Sequence, residues 1–289
     1  LLNNGTVTNW GDNTYGQANV PMNLTNVMAI AAGGYHGLAL LGNGTVTAWG
    51  YNIFGQTNVL PGLSNVVEVA AGLAHSLALL GSGKVVAWGD NSYGQTSVPP
   101  GLSGVTAIAA GRLDSLALTT NGTVVGWGFN AYGQTTPPAG LSNVVAIAAG
   151  YLHSVALLSN GTVVVWGDNT YSQTNVPAGL TNVIAIAAGD FDTLALLRNG
   201  TVVGWGDDSY GQTSMPAILK NAVVLASGNY HGLALIPITD SLQAQMTSAG
   251  LMIQWLGSGV LQSAPSPAGP FTDMSVQGNC MTNRSEERR

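Results

Sequence analysis

Short apolar runs alternate with polar turn segments along residues 5–238, and the same succession returns every 39 residues. In the copy that begins at Val144, VVAIAAG predicts a strand buried on both faces, close to a crowded axis. HSVALL and TVVVWG predict a second and a third strand, joined by a tight turn at Asn160 and Gly161. QTNVP predicts a shorter fourth strand at an outer edge, where its proline needs no ladder donor. No repeat shows the sustained periodicity and caps of a helix.

Three motifs mark the period. An AIAAG-like run, an NGTV-like turn and a WGDNTYGQ-like block each occur six times without an insertion or deletion. The blocks begin at Trp10, Trp49, Trp88, Trp127, Trp166 and Trp205. Four antiparallel strands per unit, repeated radially, are typical of a β-propeller, and closing the ring protects the sheet edges. A tryptophan is large enough to fill the wedge between neighbouring units, so all six are interpreted as structural.

The two ends of the repeat region predict how the ring closes. The chain begins with a third and fourth strand, from about Thr6, whereas the last repeat supplies only a first and second strand within 222–236. The two halves are expected to complete one blade as a clasp. The predicted fold class is therefore all-β, a propeller of six four-stranded repeats, or of seven blades if the tail or a missing repeat contributes. A parallel β-solenoid is the alternative, although its coils are usually shorter.

WGDNSYGQTSVP followed by GLSGVTAIAAGRLDSLAL resembles repeats of the regulator of chromosome condensation family. The repeats are most similar to the compact bacterial version found in the propeller-type β-lactamase inhibitory protein, which is secreted. The resemblance covers all six repeats and implies a propeller, usually with seven blades. It also implies protein binding, since relatives act as exchange factors for a small GTPase or as an enzyme inhibitor. The residues by which those relatives act are not matched in this chain.

Composition narrows the function classes. The chain is 46% hydrophobic and only 7% charged, with a formal net charge of −6. Its seven Lys and Arg residues argue against binding to nucleic acid or an anionic membrane, because both need a basic face. No apolar run approaches the roughly 20 residues of a transmembrane helix. A lone Cys280 excludes an internal disulfide framework and a cysteine zinc site. The chain begins without Met, which indicates a mature form or a fragment, and we expect a monomer outside a bacterial cell or on its surface.

A ring of His and Asp is the main candidate for catalytic or metal chemistry. The residue three positions after each AAG or ASG glycine is His36, His75, Asp114, His153, Asp192 or His231. Equivalent positions in six blades would be spread around a ring, so they are not expected to converge on one metal ion. A structural role is favoured, in which the side chain bonds to neighbouring backbone. Ser76 and Ser154 recur beside a histidine inside a strand, which argues against a nucleophile. We therefore predict no catalytic residue, no metal and no cofactor.

The first-to-second and third-to-fourth strand loops are predicted to emerge on one face. The WGDNTYGQ blocks place there Tyr15, Phe54, Tyr93, Tyr132, Tyr171 and Tyr210. The constancy of these aromatics among the copies favours packing against the next blade. The loops after AAG vary from copy to copy, and varied loops on a constant scaffold are usual binding sites. The candidate binding residues are Tyr35, Arg112, Tyr151, Asp190, Phe191 and Tyr230.

The 39-residue period stops after Ile238. We predict a propeller over 1–238, a partial C-terminal β module over 239–277 and a disordered tail over 278–289, where RSEERR concentrates charge. The function hypothesis is a non-catalytic extracellular propeller that binds a protein partner through loops on one face. An inhibitor of a secreted enzyme such as a β-lactamase, and a carbohydrate-binding or sugar-active propeller, are the alternatives. A sugar-active site needs convergent carboxylates, whereas the inner strands here are Ala, Ile, Val and Gly.

Overall fold

In the computed structural model of the chain, the described residues are 1, 5–216, 219 and 221–236, with five strands beyond them. The chain divides into two compact units, Leu1–Ile236 and Pro237–Arg289. The described residues form strands and turns and contain no helix. The first unit ends two residues before the predicted end of the propeller at Ile238.

Each repeat of the first unit forms its own antiparallel sheet, and we number these sheets as blades 1 to 6. Blades 1 to 3 consist of β1 (Val27–Ala32), β2 (His36–Leu41) and β3 (Val46–Gly50); β4 (Val66–Ala71), β5 (His75–Leu80) and β6 (Val85–Gly89); and β7 (Val105–Ala110), β8 (Asp114–Thr119) and β9 (Val124–Gly128). Blades 4 to 6 consist of β10 (Val144–Ala149), β11 (His153–Leu158) and β12 (Val163–Gly167); β13 (Val183–Ala188), β14 (Asp192–Leu197) and β15 (Val202–Gly206); and β16 (Val224–Ser227) with β17 (Gly232–Leu235). No ladder joins one blade to the next in this part of the chain, which excludes the solenoid alternative.

The fourth strand predicted at the QTNVP segments is not formed. In the fourth repeat these residues lie in turns, where Asn175 N donates to Ser172 O and Val176 N donates to Thr174 O. Asn169 Oδ1 accepts the hydrogen bond from Thr174 N. The backbone donors are therefore used locally, and Pro177 has none, so the described blades have three strands at most.

The tight hairpin predicted at Asn160 and Gly161 is present, with one difference. Gly161 N donates to Leu158 O at 2.9 Å, and Gly161 has the positive φ of 79° that the turn requires. Asn160 does not have a positive φ; its side-chain oxygen instead accepts a hydrogen bond from Thr162 N. The turn thus needs one left-handed residue rather than two.

The hydrophobic core consists of wedges between neighbouring blades. In the wedge between blades 1 and 2, Trp88 packs with Leu38, Val46, Val69 and Ala78. Trp49, Trp88, Trp127, Trp166 and Trp205 are between 5% and 9% exposed. The structural role predicted for these five tryptophans agrees with their burial, because an aromatic of this size contributes a large share of each wedge.

The innermost strands of the blades follow one another around a channel, which makes the unit a β-propeller. A Cβ at Gly33 would collide with the carbonyl of Gly72 in the next blade, and the same contact recurs blade by blade up to Gly189. At Gly228 the nearest atoms are instead those of His231. The glycine-to-glycine contact seen between the other neighbouring blades therefore has no equivalent between blade 6 and blade 1.

The clasp predicted at the ends of the repeat region is not formed in the structure. Among the described residues β17 pairs only with β16, and residues 6–10 lie outside any strand. Trp10 is 79% exposed, so its predicted place between blades is wrong for this structure. The physical reason is that its strand has no sheet to join here. His231, also interpreted as structural, is exposed at the same open end.

The second unit contains β18 (Ser241–Thr247), β19 (Gly250–Leu256), β20 (Gln262–Ser263), β21 (Thr272–Asp273) and β22 (Cys280–Thr282). Strand β19 pairs with β18 and β22, and β20 pairs with β21. Residues 280–282, which the sequence analysis assigns to a disordered tail, thus form a strand. The remainder of the predicted tail, 278–279 and 283–289, lies outside the described residues.

Candidate functional site

Two sets of loops meet at one end of every complete blade. In blade 1, Ala32 pairs with Gly37 and His36 pairs with Gly50, so the β1–β2 loop and the end of β3 lie together. We call this end of the unit the loop face. The hairpins between second and third strands lie at the opposite end, where they carry Lys84 and Arg198. The predicted placement of both loop sets on one face is confirmed by this topology.

A glutamine, buried in five of the six repeats, holds each WGDNTYGQ loop in shape. Gln95 Oε1 accepts a hydrogen bond from Tyr93 N at 2.9 Å, and Gln95 Nε2 donates to Asp90 Oδ2 at 2.9 Å. The same glutamine-to-aspartate bond joins Gln17 to Asp12, Gln173 to Asp168 and Gln212 to Asp207. The hydrogen bond from the Ser209 side chain is the largest factor that lowers the pKa of Asp207, so this carboxylate stays ionised at neutral pH. The constant aromatic of each block is turned outward by this loop.

Two blocks break this pattern. Tyr51 and Phe129 stand where the other four blocks have aspartate. The buried Nε2 atoms of Gln56 and Gln134 consequently have no hydrogen-bond partner. Leaving a buried amide unsatisfied costs about 1–3 kcal/mol of stability. These two positions therefore carry an aromatic side chain that the loop structure itself does not favour.

Both irregular aromatics lie at the centre of an aromatic cluster on the loop face. In the first cluster, the ring centroid of Tyr51 is 4.7 Å from that of Tyr15, 6.0 Å from Tyr35 and 6.4 Å from Phe54. The second cluster places Phe129 at 5.1 Å from Tyr93 and 6.4 Å from Tyr132. The outer members of these clusters, such as Tyr93 and Phe54, are about half exposed.

A third cluster includes most of the predicted binding residues. The rings of Tyr151 and Phe191 are 5.4 Å apart, and Phe191 is 4.9 Å from Tyr171. The Arg112 guanidinium lies 4.2 Å above the Tyr151 ring and 3.5 Å from Asp190 Oδ2. Burial raises the pKa of Asp190, and the charge of Arg112 opposes that rise. A separate pair, Tyr210 and Tyr230, has centroids 4.8 Å apart.

The central channel below these clusters is narrow. Its volume is about 120 Å³, and its walls are the small residues that end the innermost strands, such as Ala71 and Ala149. Among the described residues that line it, Arg112 and Asp190 are the charged ones. Ligand pockets usually measure roughly 300–1,000 Å³, so the channel is smaller than most of them. The described residues hold no group of His, Cys, Asp or Glu placed to bind a metal ion, and no helix long and apolar enough to cross a membrane.

Three members of the predicted ring of His and Asp, His36, His75 and His153, join neighbouring blades beneath the loop face. His36 Nε2 lies 3.0 Å from Ser76 Oγ, which itself donates to Gln56 O at 2.9 Å. The serine proton is thus used, so His36 donates and Ser76 accepts. Trp88 Nε1 donates to the same Gln56 carbonyl. We call this set of bonds the inter-blade relay. It recurs at His75, and also at His153, where Thr193 takes the place of the serine. The histidine bonds a hydroxyl group rather than backbone, which corrects the detail of the structural prediction.

Burial sets the chemistry of the relay residues. Burial lowers the pKa values of His36, His75 and His153 to about 4, so the rings are neutral at physiological pH. Ser76 and Ser154 direct their hydroxyl protons to backbone carbonyls and lie buried inside strands. Their hydroxyl groups are therefore shielded from solvent in this structure.

Aspartate does not replace histidine in the relay. Asp192 Oδ2 accepts a hydrogen bond from Ser227 Oγ at 2.9 Å, but both carboxyl oxygens of the buried Asp114 lack a partner. Burial raises the pKa of Asp114 well above its ordinary value. The shorter side chain of Asp114 does not reach Ser154, so the relay is interrupted between blades 3 and 4.

The structure brings together four of the six predicted binding residues, Arg112, Tyr151, Asp190 and Phe191. Tyr35 belongs to the first cluster, and Tyr230 pairs with Tyr210. Tyr51 and Phe129 are not among the residues predicted from the sequence. The sequence does carry a signal for them. At the third position of the WGDNTYGQ block, an aromatic residue replaces the aspartate that accepts the hydrogen bond of the glutamine.

This fold and site define a class: a repeat propeller with aromatic loop clusters and no assembled catalytic centre among the described residues. The sequence model of the regulator of chromosome condensation (RCC1) repeat matches residues 28–56, 66–95, 105–134, 144–173 and 183–212, together more than half of the chain. The chain belongs to this repeat family, whose members typically bind proteins and are typically not catalysts.

Solved structures show the same fold. Prp20p from Saccharomyces cerevisiae is 22% identical, with a TM-score of 0.64 over 82% of this chain and 73% of that chain. The ectodomain of the Physcomitrella patens receptor kinase CR4 is 24% identical, with a TM-score of 0.64 over 83% and 76%. Human WBSCR16 is 23% identical, with a TM-score of 0.62 over 76% and 75%. No curated protein sequence matches the chain. The closeness to the β-lactamase inhibitory protein stays a prediction.

Proposed function

We propose that this chain is a non-catalytic propeller that binds a protein partner through its loop face. The observation that carries the proposal concerns Tyr51 and Phe129. At these positions two repeats lack the Asp–Gln hydrogen bond of the other repeats and have instead the central residue of an exposed aromatic cluster. Residues that break a local structural rule are expected at functional sites. Tyrosine-rich surfaces of this kind supply large contact areas with little loss of side-chain entropy. The neighbour Prp20p is described by its binding to Gsp1p and histones, which supports binding as the activity class.

The charge of the loop face favours a neutral or basic partner surface. Asp12, Asp90, Asp207 and Asp208 lie in its loops, and Arg112 is its one cation among the described residues. Lys84 and Arg198 lie at the opposite end. Nucleic acid is disfavoured as a partner by this distribution. Complementary charge chiefly raises the association rate, so binding should weaken as ionic strength rises.

We place the protein outside a bacterial cell or on its surface, as a monomer. The low content of charged residues and the resemblance to a secreted inhibitor support this location. Inhibition of a secreted enzyme such as a β-lactamase is the narrower form of the proposal. The carbohydrate-binding alternative is less favoured, because the channel is small and the described residues place no convergent carboxylates in it.

The test exploits the two exchanged positions. The variants Tyr51→Asp and Phe129→Asp restore the glutamine bond and remove the central aromatic of two clusters. We expect the double variant to unfold at a higher temperature than the parent chain and to lose the protein that the immobilised parent chain captures from culture medium. A double variant at the opposite end, Lys84→Ala with Arg198→Ala, should retain capture. Equal capture by all three chains would refute a role for the loop face.

A further inference from the structure

The chain supplies its own cation to one aromatic cluster of the loop face. The Arg112 guanidinium lies 4.2 Å from the centroid of the Tyr151 ring, and that ring stands at 65° to the ring of Phe191. The face of an aromatic ring carries partial negative charge, so a cation at this distance above it is attracted to the ring. The third cluster therefore shows how a guanidinium is held on this face of the propeller.

The first cluster has rings at similar angles, but its loops provide no cation. Tyr15, Tyr35 and Tyr51 all contact one another, with centroids 4.7 to 6.0 Å apart and interplanar angles of 61° to 72°. The loops that carry them, residues 11–17, 33–35 and 50–56, include no Lys or Arg. Tyr15 is 47% exposed and Tyr35 is 37% exposed, so a cation from outside the chain has access to these rings.

Hydrogen bonds fix the backbone positions from which the three rings project. Tyr51 N donates to Tyr35 O at 2.9 Å, and Tyr15 N donates to Gln17 Oε1 at 2.8 Å. Tyr51 is present although it leaves Gln56 Nε2 without a partner. A site whose groups are held in place before binding loses less conformational entropy when the ligand arrives. The first cluster is therefore organised in advance for a ligand.

The charge beside the first cluster is negative. Asp12 lies in the same loop as Tyr15, and Gln17 Nε2 donates to Asp12 Oδ2 at 2.8 Å. The hydrogen bond from the Thr14 side chain is the largest factor that lowers the pKa of Asp12, so this carboxylate is ionised at neutral pH. An approaching cation is attracted by both the carboxylate and the rings, whereas an approaching anion is repelled.

We propose that the first cluster binds an arginine side chain of the protein partner. Arginine fits better than lysine, because its planar guanidinium stacks on aromatic faces and is more weakly hydrated than an ammonium group. The third cluster already holds Arg112 in this way, so the chain contains its own example of the contact. The inference rests on the proposed function, since it names the chemistry by which the loop face recognises its partner.

Two matched small molecules test the charge requirement on the full chain. N-acetyl-arginine amide carries the guanidinium, and N-acetyl-citrulline amide has a neutral urea group of nearly the same shape. The nine tyrosine rings are isotope-labelled and followed by NMR as each probe is added, and single Tyr→Phe variants assign the resonances of the first cluster. We expect the Tyr15, Tyr35 and Tyr51 resonances to shift together, with an affinity for the arginine probe roughly fivefold higher than for the citrulline probe.

Two substitutions at Tyr51 separate the aromatic face from apolar bulk. Tyr51→Phe keeps the ring face and should bind the arginine probe within about twofold of the parent chain. Tyr51→Leu keeps the apolar bulk without a ring and should bind it roughly two- to fivefold more weakly. Tyr15 and Tyr35 report binding in both variants, and urea unfolding of each variant shows that it is folded.

Three results would overturn the proposal. They are equal affinities for the two probes, an affinity of Tyr51→Leu equal to that of the parent chain, and shifts confined to rings outside the first cluster. None of these results would refute the proposed function, because capture of a protein by the immobilised parent chain is measured separately. Conversely, a chain that shows the arginine-dependent shifts but captures no protein would refute the proposed function and leave the arginine site in place.

Discussion

Asp114→His should stabilise the propeller, because it restores the inter-blade relay at the one junction between complete blades that lacks it. Ser154 already donates to Gln134 O, as Ser76 does to Gln56 O. A histidine in the geometry of its repeats would place Nε2 about 3.0 Å from Ser154 Oγ. Gly111 lies over Asp114 as Gly72 lies over His75, so the larger ring has room.

The magnitude follows from the groups involved. An unsatisfied buried polar group costs about 1–3 kcal/mol, and a new buried hydrogen bond contributes about 0.5–1.5 kcal/mol. We expect a net gain of about 2 kcal/mol near neutral pH, or roughly 4–8 °C in Tm for a unit of this size. Asp114→Asn, which cannot ionise and is too short to reach Ser154, should recover only part of the gain.

The pH dependence gives the sharper check. A carboxyl whose pKa is raised in the folded state stabilises it most below the unfolded pKa of about 3.9, and this contribution is lost as pH rises through the folded pKa. A relay histidine has its pKa lowered to about 4, as at His75, so its contribution is present above about 6.5 and is lost as pH falls. The advantage of Asp114→His should therefore grow between about pH 4 and pH 7.5 in urea unfolding of the full chain. An advantage that is absent at pH 7.5, or unchanged with pH, would refute the reasoning.

Further predictions concern single sites. Trp166→Phe should lower unfolding stability by at least about 1–2 kcal/mol, since the smaller phenyl ring loses the bond to Gln134 O and leaves part of the wedge empty; an unchanged urea midpoint would contradict this. Gly167→Ala should destabilise by more than about 2 kcal/mol, because a Cβ there lies 2.5 Å from Leu152 O, whereas Gly133→Ala, with a similar positive φ and open space, should show only the backbone penalty of about 1 kcal/mol. Acid titration should destabilise the chain between about pH 6.5 and pH 4, where the three buried histidines must be protonated, and His75→Gln should reduce this slope. Replacing Tyr151, Phe191 and Tyr230 together with Ala should weaken partner capture while unfolding stays cooperative; loss of cooperativity would make these residues structural.

The fold was largely predictable from the sequence, because the same pattern of apolar strand residues and polar turn residues recurs six times with a strict 39-residue period. The tryptophan wedges and the loop face follow from that period. The missing fourth strand was not predictable, because QTNVP reads as extended until the competing turn bonds from Asn169 and Ser172 are known. The exposed Trp10 was missed for a similar reason: sequence equivalence does not guarantee a neighbour to pack against.

The candidate site was only partly predictable. Arg112 and Tyr151 stood out because their loops vary, but the third cluster to which they belong combines residues from three different blades. Tyr51 and Phe129 became informative only when the unpartnered amides of Gln56 and Gln134 were visible. A position that varies among repeats can reflect either relaxed structural constraint or a new role. The two are distinguished by whether the substitution leaves a buried hydrogen-bonding group without its partner.

The inter-blade relay ties each blade only to its immediate neighbour. The stability of the propeller is therefore approximately a sum of contributions from single blades and from the junctions between neighbours. Damage at one junction should weaken that junction without loosening distant ones, and unfolding should begin at the free ends. Blade 6, with two strands, and the segment before blade 1 are then the first to fray. Hydrogen exchange should accordingly be fastest there and slowest in blades 2 to 4.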